Sequence, residues 1–228
     1  MAQEPENPTG EPPPKMMTGM GWVAVFVAVA VLFTFAYVQL QSSKKTQTAL
    51  LPDLGRVPEF SFVNELSEPL GRDTLKGKVW VANFVFTRCP GPCPMMTSRM
   101  LELQQNLKKI EDGSVQLVTF TVDPEYDTPE VLAEYAKKSF ADPARWNFAT
   151  GEPAAVEEFV VKGMLQPLAT EPDGSPAHST RFVVVDEEGR MRAFRDGMDP
   201  EVVAKLLTDI GALMREKRNA AVEAARAQ

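Results

Sequence analysis

Cys89 and Cys93 are the two cysteines of this 228-residue chain, four residues apart in the segment FVFTRCPGPCPMMTSRM. Two neighbouring thiols can hold a soft metal ion, Cu(I) foremost, or close into a disulfide. The segment follows an apolar run with strand character and precedes a helical pattern. It is therefore a loop beyond the carboxyl end of a strand, where ligands gather in βαβ sheets. If Cys93 begins the helix, the spacing puts both sulfurs on one side. A helix N-terminus favours negative charge, and Arg88 places a cation beside Cys89. Both features predict a lowered thiol pKa. Pro90, Pro92 and Pro94 stiffen the loop. Two buried core thiols are the plainer alternative, but a Pro/Gly-rich run at a strand end does not read as core. The spacing also excludes a C-x₂-C-H haem attachment.

Other groups able to do chemistry are few. The single histidine, His178, stands in SPAHSTRFVVVD just before a strand. On spacing alone, a lone loop histidine reads as a solvated residue or a backbone hydrogen-bond donor. The turn TVDPEYDTPE holds Asp123 and Asp127, and its plain reading is a strand end, a turn and a helix cap. Met95, Met96 and Met100 lie on or near the cysteine loop, and thioethers bind Cu(I). Met96 and Met100, at helical spacing, read as core. One histidine excludes HExxH and other multi-histidine sites, and two cysteines exclude a four-cysteine zinc site. Against 31 Asp+Glu stand 24 Lys+Arg, a net charge of −7, which argues against a nucleic-acid partner.

The elements that must position these groups alternate between strand and helix. Strands are expected at Phe60–Val63, Val79–Phe86, Val115–Val122 and, more briefly, Trp146–Ala149. Turn residues surround Gly71. The run VWVANFVF reads as a strand buried on both faces. Helices are expected at Met95–Leu107 with Pro94 in the first turn, at Thr128–Phe140 with Thr128 as N-cap, and at Pro153–Val161. RFVVVD (Arg181–Asp186) and RMRAFR (Arg190–Arg195) form a hairpin around a tight turn. Asp199–Met214 closes the domain as an amphipathic helix, with 215–228 extending or fraying from it. Helical crossovers imply parallel pairing in the first half and the tight turn antiparallel pairing in the second. The fold class is α/β with a mixed central sheet flanked by helices.

Ahead of this domain, residues 1–18 are polar and Pro-rich, a composition that cannot bury enough apolar surface to order itself. Gly19–Val38 is apolar and uncharged, and 19–40 reads as one transmembrane helix with Trp22 and Tyr37 near its ends. Residues 41–56 read as a polar linker, leaving 57–214 as the folded domain. Loop charge alone leans toward placing that domain in the cytoplasm, on only a few Lys and Arg.

FTRCPGPCP, TVDPEYDTPEVLAEYAKKSF and AHSTRFVVVDEEG, in this order behind an apolar anchor, resemble the Sco/SenC family. The resemblance covers about residues 57–214. It implies a thioredoxin-like fold, a domain on the periplasmic or equivalent side of the membrane, and copper held as Cu(I) or Cu(II) by Cys89, Cys93 and His178. It further implies delivery of copper to a cytochrome c oxidase subunit or another copper-accepting protein, a metallochaperone rather than an enzyme. Asp123 and Arg88 would have supporting roles. Many members carry an acidic residue in the cysteine loop, a histidine before the first cysteine and an aspartate before the metal histidine. This chain has Gly91-Pro92, Arg88 and Ala177 there. The competing expectation is a thiol-disulfide oxidoreductase in which Cys89 or Cys93 attacks a partner disulfide and the other resolves it.

Overall fold

The computed structural model describes residues 29–34, 50–110, 113–170 and 176–226. The chain divides into two units, Met1–Ala49 and Leu50–Gln228. In the first, residues 29–34 form helix α1 with Val31, Leu32 and Phe33 exposed. The expected tail 1–18, the rest of 19–40 and linker residues 41–49 lie outside the described residues. Among the described residues no helix is long and apolar enough to cross a membrane.

The second unit contains a seven-stranded sheet. Its strands are β1 (Ser61–Asn64), β2 (Pro69–Gly71), β3 (Val79–Val85), β4 (Val115–Thr121), β5 (Trp146–Thr150), β8 (Arg181–Val185) and β9 (Met191–Asp196). The order across the sheet is β2-β1-β5-β4-β3-β8-β9. β3, β4 and β5 are parallel, and β8, β9, β1 and β2 run antiparallel to their neighbours. The mixed sheet is thus as expected, with one addition: Gly71 belongs to strand β2, which folds β1 into an edge hairpin.

Every residue of β3 and β4 is buried, as their apolar runs require. Side chains alternate between two cores. Trp80, Ala82 and Phe84 of β3 join Val118 and Phe120 of β4 on one face, with Phe159 and Val160. Val79, Val81 and Leu117 join the other, covered by α3 (Cys93–Asn106), α4 (Pro129–Lys138) and α6 (Val202–Arg226). Helix α2 (Arg72–Leu75) is a single turn before β3. α4 starts where Thr128 Oγ1 accepts from Val131 N, with Pro129 in the first turn and Lys137 and Lys138 in the last. α5 (Pro153–Glu158) is capped by Glu152, and then, instead of continuing as α-helix to Val161, widens into a π turn, Phe159–Gly163.

Two expectations need correction. A separate two-stranded hairpin, β6 (Leu168–Thr170) and β7 (Pro176–His178), was not foreseen, so His178 lies on a strand and not in a loop. Three-residue strands carry too little periodicity to register in a sequence. The linker does not reach Arg56: Leu54 N donates to Met191 O, and Arg192 donates to the carbonyls of Leu51 and Pro52. Residues 51–56 are therefore tied to β9 and its entry. Of the two outcomes expected for 215–228, the structure shows extension: α6 continues past Met214 to Arg226.

Candidate functional site

The parallel strands β3 and β4 end at the same edge of the domain, and the site is built on their exits. After β3 the chain passes through Thr87 and Arg88 to Cys89. Cys89 N donates to Phe86 O at 3.1 Å, which folds the loop back. Cys93 then opens α3 with Pro94 in its first turn. Both cysteines are free, Cys89 half-buried and Cys93 buried at 1% exposure. The two thiols lie within hydrogen-bond reach of each other. The sequence expectation that they converge therefore holds.

The expected lowering of the thiol pKa does not hold for Cys93. Burial pushes its thiol well up, and the adjacent Cys89 adds to the shift, while backbone hydrogen bonds oppose it. Arg88 is engaged with a carboxylate and a ring. Its guanidinium donates to Asp123 Oδ2 at 2.6 Å and lies 3.8 Å over the Tyr126 ring. Asp123 and Arg88, both foreseen as supporting residues, support each other across the mouth of the loop.

Beneath this surface pair is a group that sequence reasoning took for part of a turn. The Asp127 carboxylate is fully buried. Its Oδ1 accepts from Thr87 Oγ1, and its Oδ2 accepts from Thr87 N at 3.1 Å and from Thr121 Oγ1. Burial raises its pKa, against the pull of those three bonds. Tyr135, on α4, shares a 2.8 Å hydrogen bond with Thr97 on α3, and burial raises its phenol pKa, with the nearby thiols and Asp127 adding to the shift. No spacing rule ties Asp127 to Thr87 or Tyr135 to Thr97, because these partners are 40 and 38 residues away.

Met96 and Met100 are fully buried, as their spacing implied, whereas Met95 is 45% exposed. His178 pairs with Leu168 across the β6–β7 ladder. Leu168 lines a cavity of about 180 Å³ together with Asp123 and Pro124, so the strand of His178 lies at the Asp123 end of the domain. Its imidazole lies outside the described residues. Among the described residues no three His, Cys, Asp or Glu side chains converge as a metal-holding group.

The fold and the sequence both have counterparts among known proteins. The SCO1/SenC family model matches residues 52–212. The SCO1 protein homolog of Bacillus subtilis is 32% identical over 157 residues, 68% of this chain and 80% of its own. A Stutzerimonas stutzeri protein named for copper binding is 32% identical over 149 residues, 63% of this chain and 70% of its own. The solved structure of BsSco, described as a member of the Sco family of cytochrome c oxidase assembly proteins with a disulfide switch, superposes with a TM-score of 0.64 at 30% identity. It covers 72% of this chain and 98% of that one. A match over residues 52–212, most of the packed unit, together with a mixed thioredoxin-like sheet presenting a C-x₃-C loop at a helix start, places this chain in the SCO1/SenC family.

Proposed function

We propose that this chain binds copper through Cys89, Cys93 and His178 and passes it by ligand exchange to a copper-accepting protein, a cytochrome c oxidase subunit foremost. The observation that carries the proposal is the pair of free thiols brought into mutual reach at the exit of β3, one at the surface and one beneath it. This donor set suits a soft ion, and an added imidazole widens it to accept Cu(II) as well as Cu(I). Copper is the cargo here. Cys89, half-exposed, is the thiol a donor or acceptor meets first. Cys93 lies below, and burial keeps its proton on until metal arrives, so uptake releases protons and is favoured by rising pH. The relatives named for copper binding and for oxidase assembly support the reading. The apolar segment 19–40 supports a membrane anchor, and the likeness to the Sco/SenC family supports a domain on the periplasmic or equivalent side.

The contact between two free thiols also favours a second reading, thiol-disulfide exchange with a partner, and the disulfide switch named for BsSco points the same way. One experiment separates the two. The full chain in detergent is reduced, loaded with Cu(I) and exposed to a competing chelator, and retained copper is counted. Wild type is expected to keep about one copper, and His178→Ala to lose most of it. Equal retention by both proteins removes His178 from the ligand set. No retention by wild type overturns the copper reading and leaves disulfide exchange.

A further inference from the structure

Two consecutive residues hold the start of the cysteine loop from opposite sides. Arg88 reaches outward to Asp123 and Tyr126, while Thr87 reaches inward, giving both its N–H and its hydroxyl to the Asp127 carboxylate. Asp127 also takes the hydroxyl of Thr121 on β4, and its own N–H donates to Asp123 O. The loop and the 121–128 turn are thus tied into one body.

We propose that Asp127 is a positioning residue for Cys89: through Thr87 it sets the separation of the two thiols before any metal or partner arrives. The proposal rests on reading Cys89 and Cys93 as the working pair. With Thr87 held at two points, the path to Cys93 has little freedom left. Cys89 N is bonded to Phe86 O, and Pro90 and Pro92 have fixed φ. The bonds that join Asp127 to the loop run to Thr87, so its influence on Cys89 passes through that residue. A buried carboxylate is a costly way to hold a turn. Here it receives two donors from a single residue two positions before Cys89, which fixes that residue's backbone and side chain together. Preset geometry of this kind raises the effective concentration of one thiol at the other.

The test uses the copper-free full chain in detergent, equilibrated with reduced and oxidised glutathione. Oxidised glutathione takes two electrons and two protons from the protein dithiol, giving the protein disulfide and two reduced glutathiones. The readout is the equilibrium constant for that exchange, alongside thermal unfolding. Thr87→Val removes the hydroxyl bond to Asp127, and Thr87→Ser keeps it. The expected result is disulfide formation weakened about tenfold in Thr87→Val, about 30 mV for this two-electron couple, and restored in Thr87→Ser. Asp127→Asn is read in the same way should Thr87→Val not fold. A lower melting temperature with an unchanged constant overturns the proposal, because Asp127 would then only hold the fold. Failure of Thr87→Ser to restore the constant also overturns it. The readout needs no copper, so it stays separate from the copper reading, whose failure shows as wild type retaining no metal.

Discussion

Cys93 begins a helix and yet has its thiol pKa driven up. Magnitudes decide the contest. A helix N-terminus favours a nearby anion by about 0.3–1 kcal/mol at an exposed site. Withdrawing a charge from water costs several kcal/mol even after relaxation. At 1% exposure the second effect wins. The same competition governs Glu65, which is buried while its Oε2 accepts from Phe148 N at 2.7 Å. Burial raises its pKa despite that bond, with Glu68 adding repulsion. A carboxyl whose folded pKa exceeds its unfolded one binds more protons when folded, so its contribution to stability falls as pH rises through that window. Glu65→Gln keeps an acceptor for Phe148 N and removes the charge. The melting temperature of the variant relative to wild type is therefore expected to climb from about pH 4.5 upward and then level off, read by thermal unfolding across pH.

At the scale of elements, β9 and α6 are joined by Arg195, whose Nε and Nη2 each donate at 2.7 Å to an oxygen of Asp209. The carboxylate is 4% exposed and the arginine 33%. Arg195→Ala would strand a buried charge, and a loss of about 3 kcal/mol is expected in denaturant unfolding, the low end for a broken buried pair because one side is wet. Close packing recurs in the turn after β9. A Cβ on Gly197 would stand 2.6 Å from Thr180 O and 2.9 Å from the Phe182 ring, so only glycine lets that turn close against the start of β8. Which elements were legible follows from the strength of their patterns. β3, β4 and β8 announce themselves as continuous apolar runs, and α4 by its Thr-Pro start. β2, β6 and β7, at three residues each, do not. The cysteine pair was legible because both members lie in one loop. The diversion of Arg88 to Asp123 and the burial of Asp127 were not, because each depends on a contact made across 35 residues or more.

At the scale of the whole molecule, the family match over 52–212 coincides with the packed unit that begins at Leu50, and both cores fall inside it. α6 crosses the far limit of that region without a break. Its buried residues end at Leu213. Arg192 to Glu216 and Lys217 to Gly77 O are the last named ties, and from Lys217 to Arg226 every residue is exposed. Twenty-five residues at ~1.5 Å each make one rod of about 37 Å, but only its first part is held by neighbours. Hydrogen–deuterium exchange would divide what the backbone geometry leaves continuous. Amides up to Leu213 are expected to exchange only when the whole domain opens, and those beyond Lys217 through helix fraying, orders of magnitude faster. Uniform protection along the rod would mean that something outside this unit packs against its end. A graded profile would make α6 a built-in scale, with the stability of the domain recorded at one end and that of a lone helix at the other.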